Sequence, residues 1–187
     1  MARNDKGKPT RDLNLFRSDI DYLVSQRFQI FLWVLIQHFF FSKFFLPRKF
    51  RPFLLRLAGA KIGEGVIIKS GVKIHLPFNL EVGDHTWIGE NSWILNHAKV
   101  RIGSNVCISQ RVVICSSSHE YESKSLDYAH APIQIHNGAW ICLDAKVLPG
   151  VTIGECSVVS AGEIVRRALP DYSMLVGGQI RAIEPPR

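Results

Sequence analysis

Apolar residues recur at every sixth position through most of this chain, and the recurring residue is isoleucine or valine. Fifteen positions share this property: Ile62, Ile68, Ile74, Val82, Ile88, Ile94, Ile102, Ile108, Ile114, Ile135, Ile141, Val147, Ile153, Val159 and Val165. Because Ile and Val together make up only 34 of the 187 residues, chance does not account for the pattern. A fixed internal period of this kind predicts a repeat architecture.

Each six-residue unit predicts one short strand followed by a bend. Six residues are too few for a helix and a turn, and β-branched residues favour strands. The β-branched column should face inwards, and burying each of its side chains stabilises the fold by about 1.5–3 kcal/mol. The second position of the unit is often glycine, which we expect at the bend: Gly63, Gly83, Gly89, Gly103 and Gly154.

Three units make one triangular coil, because the coil starts at 62, 82 and 102 lie twenty residues apart and those at 135 and 153 lie eighteen apart. The longer coils imply two-residue insertions at Leu80-Glu81 and Val100-Arg101. The predicted fold class is an all-β solenoid, a parallel β-helix of hexapeptide repeats over residues 62–183. Its open strand edges require a cap at each end.

The register of the repeat breaks twice. Residues 115–134 form a polar insertion between Ile114 and Ile135, where five residues would continue the repeat. A long polar insertion in a regular solenoid is typical of a functional loop. The hexads end after Val165, and residues 184–187 form a short tail.

Residues 1–61 form a separate basic and apolar appendage. Its apolar run, residues 28–46, has polar interruptions that argue against a transmembrane helix: Gln29, Gln37, His38, Ser42 and Lys43. Two interpretations stay open, since the segment could cap the solenoid or residues 28–51 could lie on a membrane surface. The flanking basic residues would suit an anionic membrane surface: Arg27, Lys43, Arg48, Lys49, Arg51 and Arg56.

The net charge of +7 belongs to this appendage. Residues 1–61 hold 12 Lys and Arg against 4 Asp and Glu, whereas residues 62–187 hold 11 against 12. The repeat region therefore lacks a basic stripe for nucleic acid, and we expect no such partner. Four irregularly spaced cysteines, with no signal-peptide pattern ahead of them, favour a reducing, cytoplasmic compartment and a packing role for the thiols.

Motifs in the second half of the chain resemble a known enzyme family. "SHEY" at 118–121, "API" at 131–133, "GAWICLDAKVLPGVTIGECSVVSAGEIV" at 138–165 and "LPDYSMLVGG" at 169–178 resemble the hexapeptide-repeat O-acetyltransferases, particularly the colanic-acid and exopolysaccharide type. The resemblance implies a left-handed solenoid, a homotrimer, and acetyl-CoA as co-substrate without a metal. It also implies a sugar or lipid-linked oligosaccharide acceptor in surface-glycan biosynthesis. A glycan built on a lipid carrier would suit a cytoplasmic protein at the inner face of the cytoplasmic membrane.

The same resemblance implies roles for single residues. His119, in the "SH" pair, would be the general base, because imidazole has an ordinary pKa near 6.5 and can take a proton at neutral pH. Asn96 and Trp140 would contact the acceptor. Small residues would let the pantetheine arm lie close to the coils, and guanidinium groups suit the phosphates of coenzyme A; the implied cofactor contacts are Leu143, Ala161, Gly162, Arg166, Arg167 and Arg181.

The chain departs from the family pattern in two places. At Cys142-Leu143 no hydroxyl is available for the oxyanion, so a backbone N–H would have to bind it. At Gly178-Gln179-Ile180 the family has Asn-Pro-Ala, so the turn that covers coenzyme A is expected to differ.

Two other functions remain open from the sequence. A metalloenzyme of the γ-carbonic-anhydrase kind shares this fold, but it needs an H-x₄-H pair, and no two of the seven histidines are five residues apart. A catalytically inactive scaffold is the second alternative.

Overall fold

The structure of the chain, a computed structural model, describes residues 10–17, 26–47 and 49–185. Arg48 and the last two residues of the predicted tail lie outside these ranges. In the described part of the chain, strands follow one another in threes around five coils and β18 belongs to a sixth: β1 (Lys61–Ile62), β2 (Ile67–Ile68), β3 (Lys73–Ile74); β4 (Leu80–Val82), β5 (Trp87–Ile88), β6 (Trp93–Leu95); β7 (Val100–Ile102), β8 (Cys107–Ile108), β9 (Val113–Cys115), with β10 (Ser117–His119) and β11 (Tyr128–His130) inserted; β12 (Ile133–Ile135), β13 (Trp140–Ile141), β14 (Lys146–Val147); β15 (Thr152–Ile153), β16 (Val158–Val159), β17 (Ile164–Val165); β18 (Ser173–Val176) and β19 (Gln179–Ala182).

Each wall of the prism is a sheet that takes one strand from every coil. The first wall has the order β1-β4-β7-β12-β15, the second β2-β5-β8-β13-β16-β18-β19, and the third β3-β6-β9-β14-β17. All strand pairs along the walls are parallel except β18 with β19, which closes the second wall. The predicted parallel β-solenoid of hexapeptide repeats is confirmed.

The Ile and Val column forms the core of the solenoid. All fifteen hexad-leading side chains are buried. The column continues past Val165, because Leu169 bridges to Ile153 and Leu175 pairs with Val159. The sequence pattern ended earlier because these two positions carry leucine at a different spacing.

The residues predicted as two-residue insertions belong to strands instead. Leu80 and Val100 begin β4 and β7, pair with each other, and are fully buried. Ile133, at the start of β12, extends this second column. In a three-residue strand the first and third side chains point to the same face, so the extra residues widen the core on the first wall.

The bends have left-handed backbone at the fourth position of the hexad. The prediction that the second-position glycines form the bend was wrong. Positive φ occurs at Gly65 (63°), His85 (57°) and Asn105 (56°), each three residues after a column residue. The second-position glycines serve close packing between coils. A Cβ on Gly83 would lie 2.6 Å from the backbone nitrogen of Ser104.

The appendage covers the open edge of the first coil. Here its described residues 26–47 and 49–61 form α1 (Arg27–Ile36), a π-helical turn (Gln37–Phe41) and α2 (Phe50–Leu57). Trp33 Nε1 donates to Ile74 O at 2.8 Å, and Ile74 N donates to Gln37 Oε1 at 2.6 Å. These bonds satisfy backbone groups that would otherwise be unpaired at a sheet edge.

Arg51 does not face outwards as the membrane interpretation required. Its guanidinium is buried, with donations to the carbonyls of Phe41 (3.0 Å), Lys43 (2.6 Å) and Ile68 (3.4 Å). It joins the two helices to the first coil because its fork of donors can reach several carbonyls at once. Within the described residues, no helix combines the length and the apolar character needed to cross a bilayer.

Candidate active site

The polar insertion folds as a β-hairpin at the end of β9. β10 and β11 are antiparallel, with Ser117 opposite His130 and His119 opposite Tyr128. The predicted loop boundaries of 115–134 therefore include the end of β9 and the start of β12. Two polar or aromatic side chains lie two residues apart on each strand, Ser117 and His119 on β10 and Tyr128 and His130 on β11. This period-two pattern is typical of strands and was not recognised in the sequence.

His119 is exposed and held by one hydrogen bond within its hairpin. Its Nδ1 lies 2.6 Å from the carbonyl oxygen of Leu126. A carbonyl oxygen only accepts, so this partner assigns the proton to Nδ1 and leaves Nε2 with a free lone pair. The arrangement is that of a base whose tautomer is set by a second group.

The loop that presents Leu126 is held by a carboxylate. Ser125 Oγ and Ser123 Oγ donate to the two oxygens of Asp127, at 2.7 and 2.8 Å. These hydrogen bonds, from Ser125 first and then Ser123, lower the pKa of Asp127. They surround Leu126, whose φ of 53° lies in the left-handed region, and so fix the direction of its carbonyl. None of these residues was predicted from the sequence.

A row of rings runs from His119 towards the first coils. The rings of His119 and Tyr128 are stacked, with centroids 4.8 Å apart, and Tyr128 lies 4.8 Å from His130. Ser117 Oγ lies 2.8 Å from His97 Nδ1 and 3.0 Å from His130 Nδ1. These contacts dock the hairpin on the second coil.

Asn96 lies inside the solenoid wall. Its side chain is 0% exposed, its Oδ1 accepts from Leu76 N at 3.0 Å, and its Nδ2 donates to Leu76 O at 2.6 Å. Both ends of the amide are therefore engaged between two coils. Contact between Asn96 and an acceptor stays a prediction, and it would require these bonds to break.

Trp140 and Leu143 lie on the outside of the fourth coil. Trp140 is half-exposed, and its Nε1 donates to Ser109 Oγ at 3.0 Å. Leu143 O accepts from Gly162 N at 2.8 Å, whereas the N–H of Cys142 donates to Val159 O. Burial raises the pKa values of the neighbouring Cys107 and Cys142 thiols, which agrees with a packing role.

Several of the predicted cofactor residues surround one cavity at the carboxyl-terminal end of the prism. This cavity of about 460 Å³ is lined by Gly162, Arg166 and Arg167 among others. Gly162 has φ of 74°, and a Cβ there would meet nothing within 4 Å, so the surface above it is open. Ala161 is exposed beside it, and Arg181 lies on β19, with its Nη2 3.5 Å from Gln179 Oε1.

The hairpin and the arginine pair share one edge of the third wall. Ile114 pairs with Val147, which pairs with Val165, so the chain leaves β9 towards the hairpin and leaves β17 towards Arg166 at the same corner. Two coil spacings of about 4.8 Å separate these points along the axis. The described residues contain no group of three His, Cys, Asp or Glu side chains that could hold a metal ion.

Comparison with known proteins identifies the family. The chain is 35% identical over 163 residues to WcaF of Escherichia coli K12, whose name assigns it to colanic acid biosynthesis as an acetyltransferase, and the match covers 86% of this chain and 88% of WcaF. The chain belongs to the hexapeptide-repeat acetyltransferase family. This confirms the predicted resemblance and the prediction of an acyltransferase.

The hexapeptide-repeat acetyltransferase also resembles a second sequence relative and two solved structures. It is 30% identical to the galactoside O-acetyltransferase of E. coli, over 71% of this chain and 67% of that protein. A galactoside acetyltransferase structure in complex with coenzyme A superimposes with a TM-score of 0.79 at 25% identity, covering 89% and 84% of the two chains. A Vibrio cholerae hexapeptide-repeat acetyltransferase in complex with acetyl-CoA shares the fold, with a TM-score of 0.74 at 24% identity and 86% of each chain covered. No family model matches the chain.

Proposed function

We propose that this protein transfers the acetyl group of acetyl-CoA to a sugar hydroxyl in surface-glycan biosynthesis, with His119 as the general base. The observation that carries the proposal is the hydrogen bond from His119 Nδ1 to Leu126 O. It leaves Nε2 as the only ring atom able to accept a proton, on an exposed side chain of the inserted hairpin. The acceptor class is supported by relatives whose names assign them to galactosides and to colanic acid.

In the proposed reaction, the acceptor oxygen attacks the thioester carbonyl while its proton passes to Nε2 of His119. The tetrahedral intermediate then collapses, the carbon–sulfur bond breaks, and the proton passes from His119 to the leaving thiolate. The products are the sugar acetate and free CoA thiol. Because the Cys142 N–H is engaged by Val159 O, we assign stabilisation of the oxyanion to the N–H of Leu143.

The test of this function is release of CoA thiol from acetyl-CoA with a panel of hexoses, galactosides and lipid-linked oligosaccharides. His119→Ala should lower the rate about 10²- to 10⁴-fold, the usual contribution of a general base. His136→Ala is the matched control, because His136 is also an exposed histidine but lies on the fourth coil outside the hairpin. Equal turnover by wild type and His119→Ala would refute the assigned base.

We propose that coenzyme A lies along the third wall and reaches the cavity at Gly162, Arg166 and Arg167. Support comes from the open surface above Gly162 and from two exposed guanidinium groups beside it. The pantetheine arm would pass Ala161 and Leu143, and Arg181 would be a further phosphate contact.

We also infer a homotrimer in which the base of one subunit meets coenzyme A held between two prisms. Support comes from the second wall, where Trp87 and Trp140 are 56% and 50% exposed and lie in register on either side of Cys107. Exposed indoles on a regular wall are typical of a subunit interface. Sedimentation should give an assembly of three 21.1 kDa chains, and Trp87→Glu should dissociate it. A monomeric wild type would contradict this inference.

We propose further that the outer surface of residues 28–51 contacts an anionic membrane. The polar side chains Gln29 and Gln37 are bonded inwards, to Ala58 O and Ile74 N, whereas Phe28 and Phe44 are 76% and 87% exposed. Residues 26–61 carry seven basic residues and no acidic one; Arg51 is buried and takes no part in this surface, whereas Arg27, Lys43 and Lys49 are exposed. Outward phenyl rings with a basic surround suit an anionic lipid surface, where each basic side chain contributes about 1 kcal/mol.

Flotation with vesicles tests the membrane contact. The wild-type protein should float with phosphatidylglycerol vesicles and much less with phosphatidylcholine vesicles. A variant with Phe28, Phe44 and Phe45 replaced by serine should remain in the lower fractions, whereas Leu13→Ser, an exposed apolar change elsewhere, should float like the wild type. Equal flotation of the triple variant would exclude this surface.

A further inference from the structure

The N-terminal segment 10–17, which we call the strap, lies on the loop that joins β10 and β11. Asp12 N donates to Lys124 O at 2.9 Å, and Arg11 Nη2 donates to Tyr121 O at 2.9 Å. A short 3₁₀ turn, Leu13–Leu15, follows Asp12, whose carboxylate accepts from Asn14 N. The strap thus contacts the loop that carries Leu126, although more than one hundred residues separate the two in sequence.

The strap ends on the candidate base. The ring of Phe16 lies 5.8 Å from the imidazole of His119 and 5.3 Å from the ring of Tyr128, which it meets edge-on. Phe16 is half-buried, whereas Leu13 and Leu15 of the same turn are exposed. Phe16 is therefore the apolar side chain by which the strap attaches to the hairpin.

We infer that Phe16 is a positioning residue for His119 and that the strap completes the active site. The inference rests on the proposed function, because it gives Phe16 an effect on the base that this function requires. Stacking on Tyr128 and the bond to Leu126 O limit rotation of the imidazole, and Phe16 contacts both stacked rings. The strap also binds the loop that supplies the carbonyl, so it acts on the base through two sets of contacts.

The primary test is ¹⁵N NMR of the full chain labelled with ¹⁵N-histidine at pH 8, where imidazole side chains are mostly neutral. The His119 resonances are assigned by their loss in His119→Ala. In the wild type they should report the Nδ1–H tautomer. In Phe16→Ala they should shift towards the Nε2–H tautomer, which a histidine side chain prefers in water, whereas Leu15→Ala, a matched change in the strap, should leave them in place.

Kinetics supply the second measurement, with acetyl-CoA and the acceptor panel described above. Phe16→Ala should lower kcat about 10- to 100-fold, the range expected for a displaced catalytic group, and should leave KM for acetyl-CoA unchanged. Phe16→Tyr should restore most of the loss. In the His119→Ala background, Phe16→Ala should have no further effect, because its action passes through His119.

Unchanged His119 resonances in Phe16→Ala and in the milder Phe16→Leu would overturn the inference. Full activity of His119→Ala, together with a tautomer shift in Phe16→Ala, would overturn the proposed base and leave the positioning role intact. The NMR measurement needs no acceptor, so failure of the inference and failure of the proposed function are separable.

Discussion

Replacement of Asn96 by alanine separates a role in the solenoid from a role in acceptor binding. The resemblance assigns this residue to the acceptor, but its side chain is fully buried and bridges two coils. Oδ1 accepts from Leu76 N at 3.0 Å and Nδ2 donates to Leu76 O at 2.6 Å. Leu76 is itself buried, so water cannot take the place of the amide.

The expected loss of stability follows from these two bonds. A buried donor or acceptor left without a partner costs about 1–3 kcal/mol, so two such groups should lower the free energy of unfolding by about 2–6 kcal/mol. Asn137→Ala is the matched control, because Asn137 is exposed and its side chain accepts from Ser104 N at 2.8 Å. Water can replace that bond, and the expected loss is below about 1 kcal/mol.

Urea unfolding at a fixed protein concentration measures the change, and thiol release measures activity at a temperature where each variant is folded. We expect a lower unfolding midpoint for Asn96→Ala and an unchanged KM for the acceptor. A variant as stable as the wild type but with a raised KM would refute this reasoning and support acceptor binding by Asn96.

Three further predictions concern charge and the site. The pKa of Glu81 is lowered from 4.5 to about 2, mainly by the hydrogen bond from Lys61. The stability that this carboxylate contributes is therefore present above pH 4.5 and is lost as the pH falls towards 2. Between pH 5 and pH 3, the free energy of unfolding measured in urea should fall by about 1 kcal/mol less for Glu81→Gln than for the wild type, a value reduced for solvent screening. Asp127→Asn should lower kcat about 10-fold with an unchanged KM for acetyl-CoA, because the amide nitrogen that replaces one carboxylate oxygen cannot accept from the serine bonded there. An unchanged kcat would contradict the positioning of His119 by this loop. Arg166→Ala and Arg167→Ala should each raise KM for acetyl-CoA about 10-fold, since a hydrogen bond to a charged group contributes about 1.5–3 kcal/mol, and an unchanged KM would place the nucleotide elsewhere.

The appendage shows how far the sequence pattern extends and where it stops. The polar interruptions in residues 28–46 argued against a membrane span, but the sequence did not show what these polar side chains bind. In the structure Gln37 and Ser42 bond to the edge of the first coil, at Ile74 N and Val72 O. Arg51 joins the same contact, although the membrane interpretation had counted it among the basic residues that would suit a lipid surface. Each of these bonds links residues far apart in the chain, so local composition could not reveal them.

The sequence by itself determined the solenoid, because a β-branched residue at every sixth position can be buried only if each unit is a strand stacked on the unit one coil earlier. It also singled out the candidate base, since the insertion that carries His119 interrupts an otherwise regular repeat. Only the tertiary structure decided how His119 is held. Its tautomer depends on the carbonyl of Leu126 across a hairpin, and its ring contacts depend on Phe16, which the strap brings from the other end of the chain. The period of the sequence predicts which residues stack within the repeat. The contacts of His119 are made by the hairpin and the strap, which lie outside the repeat, so the period could not predict them.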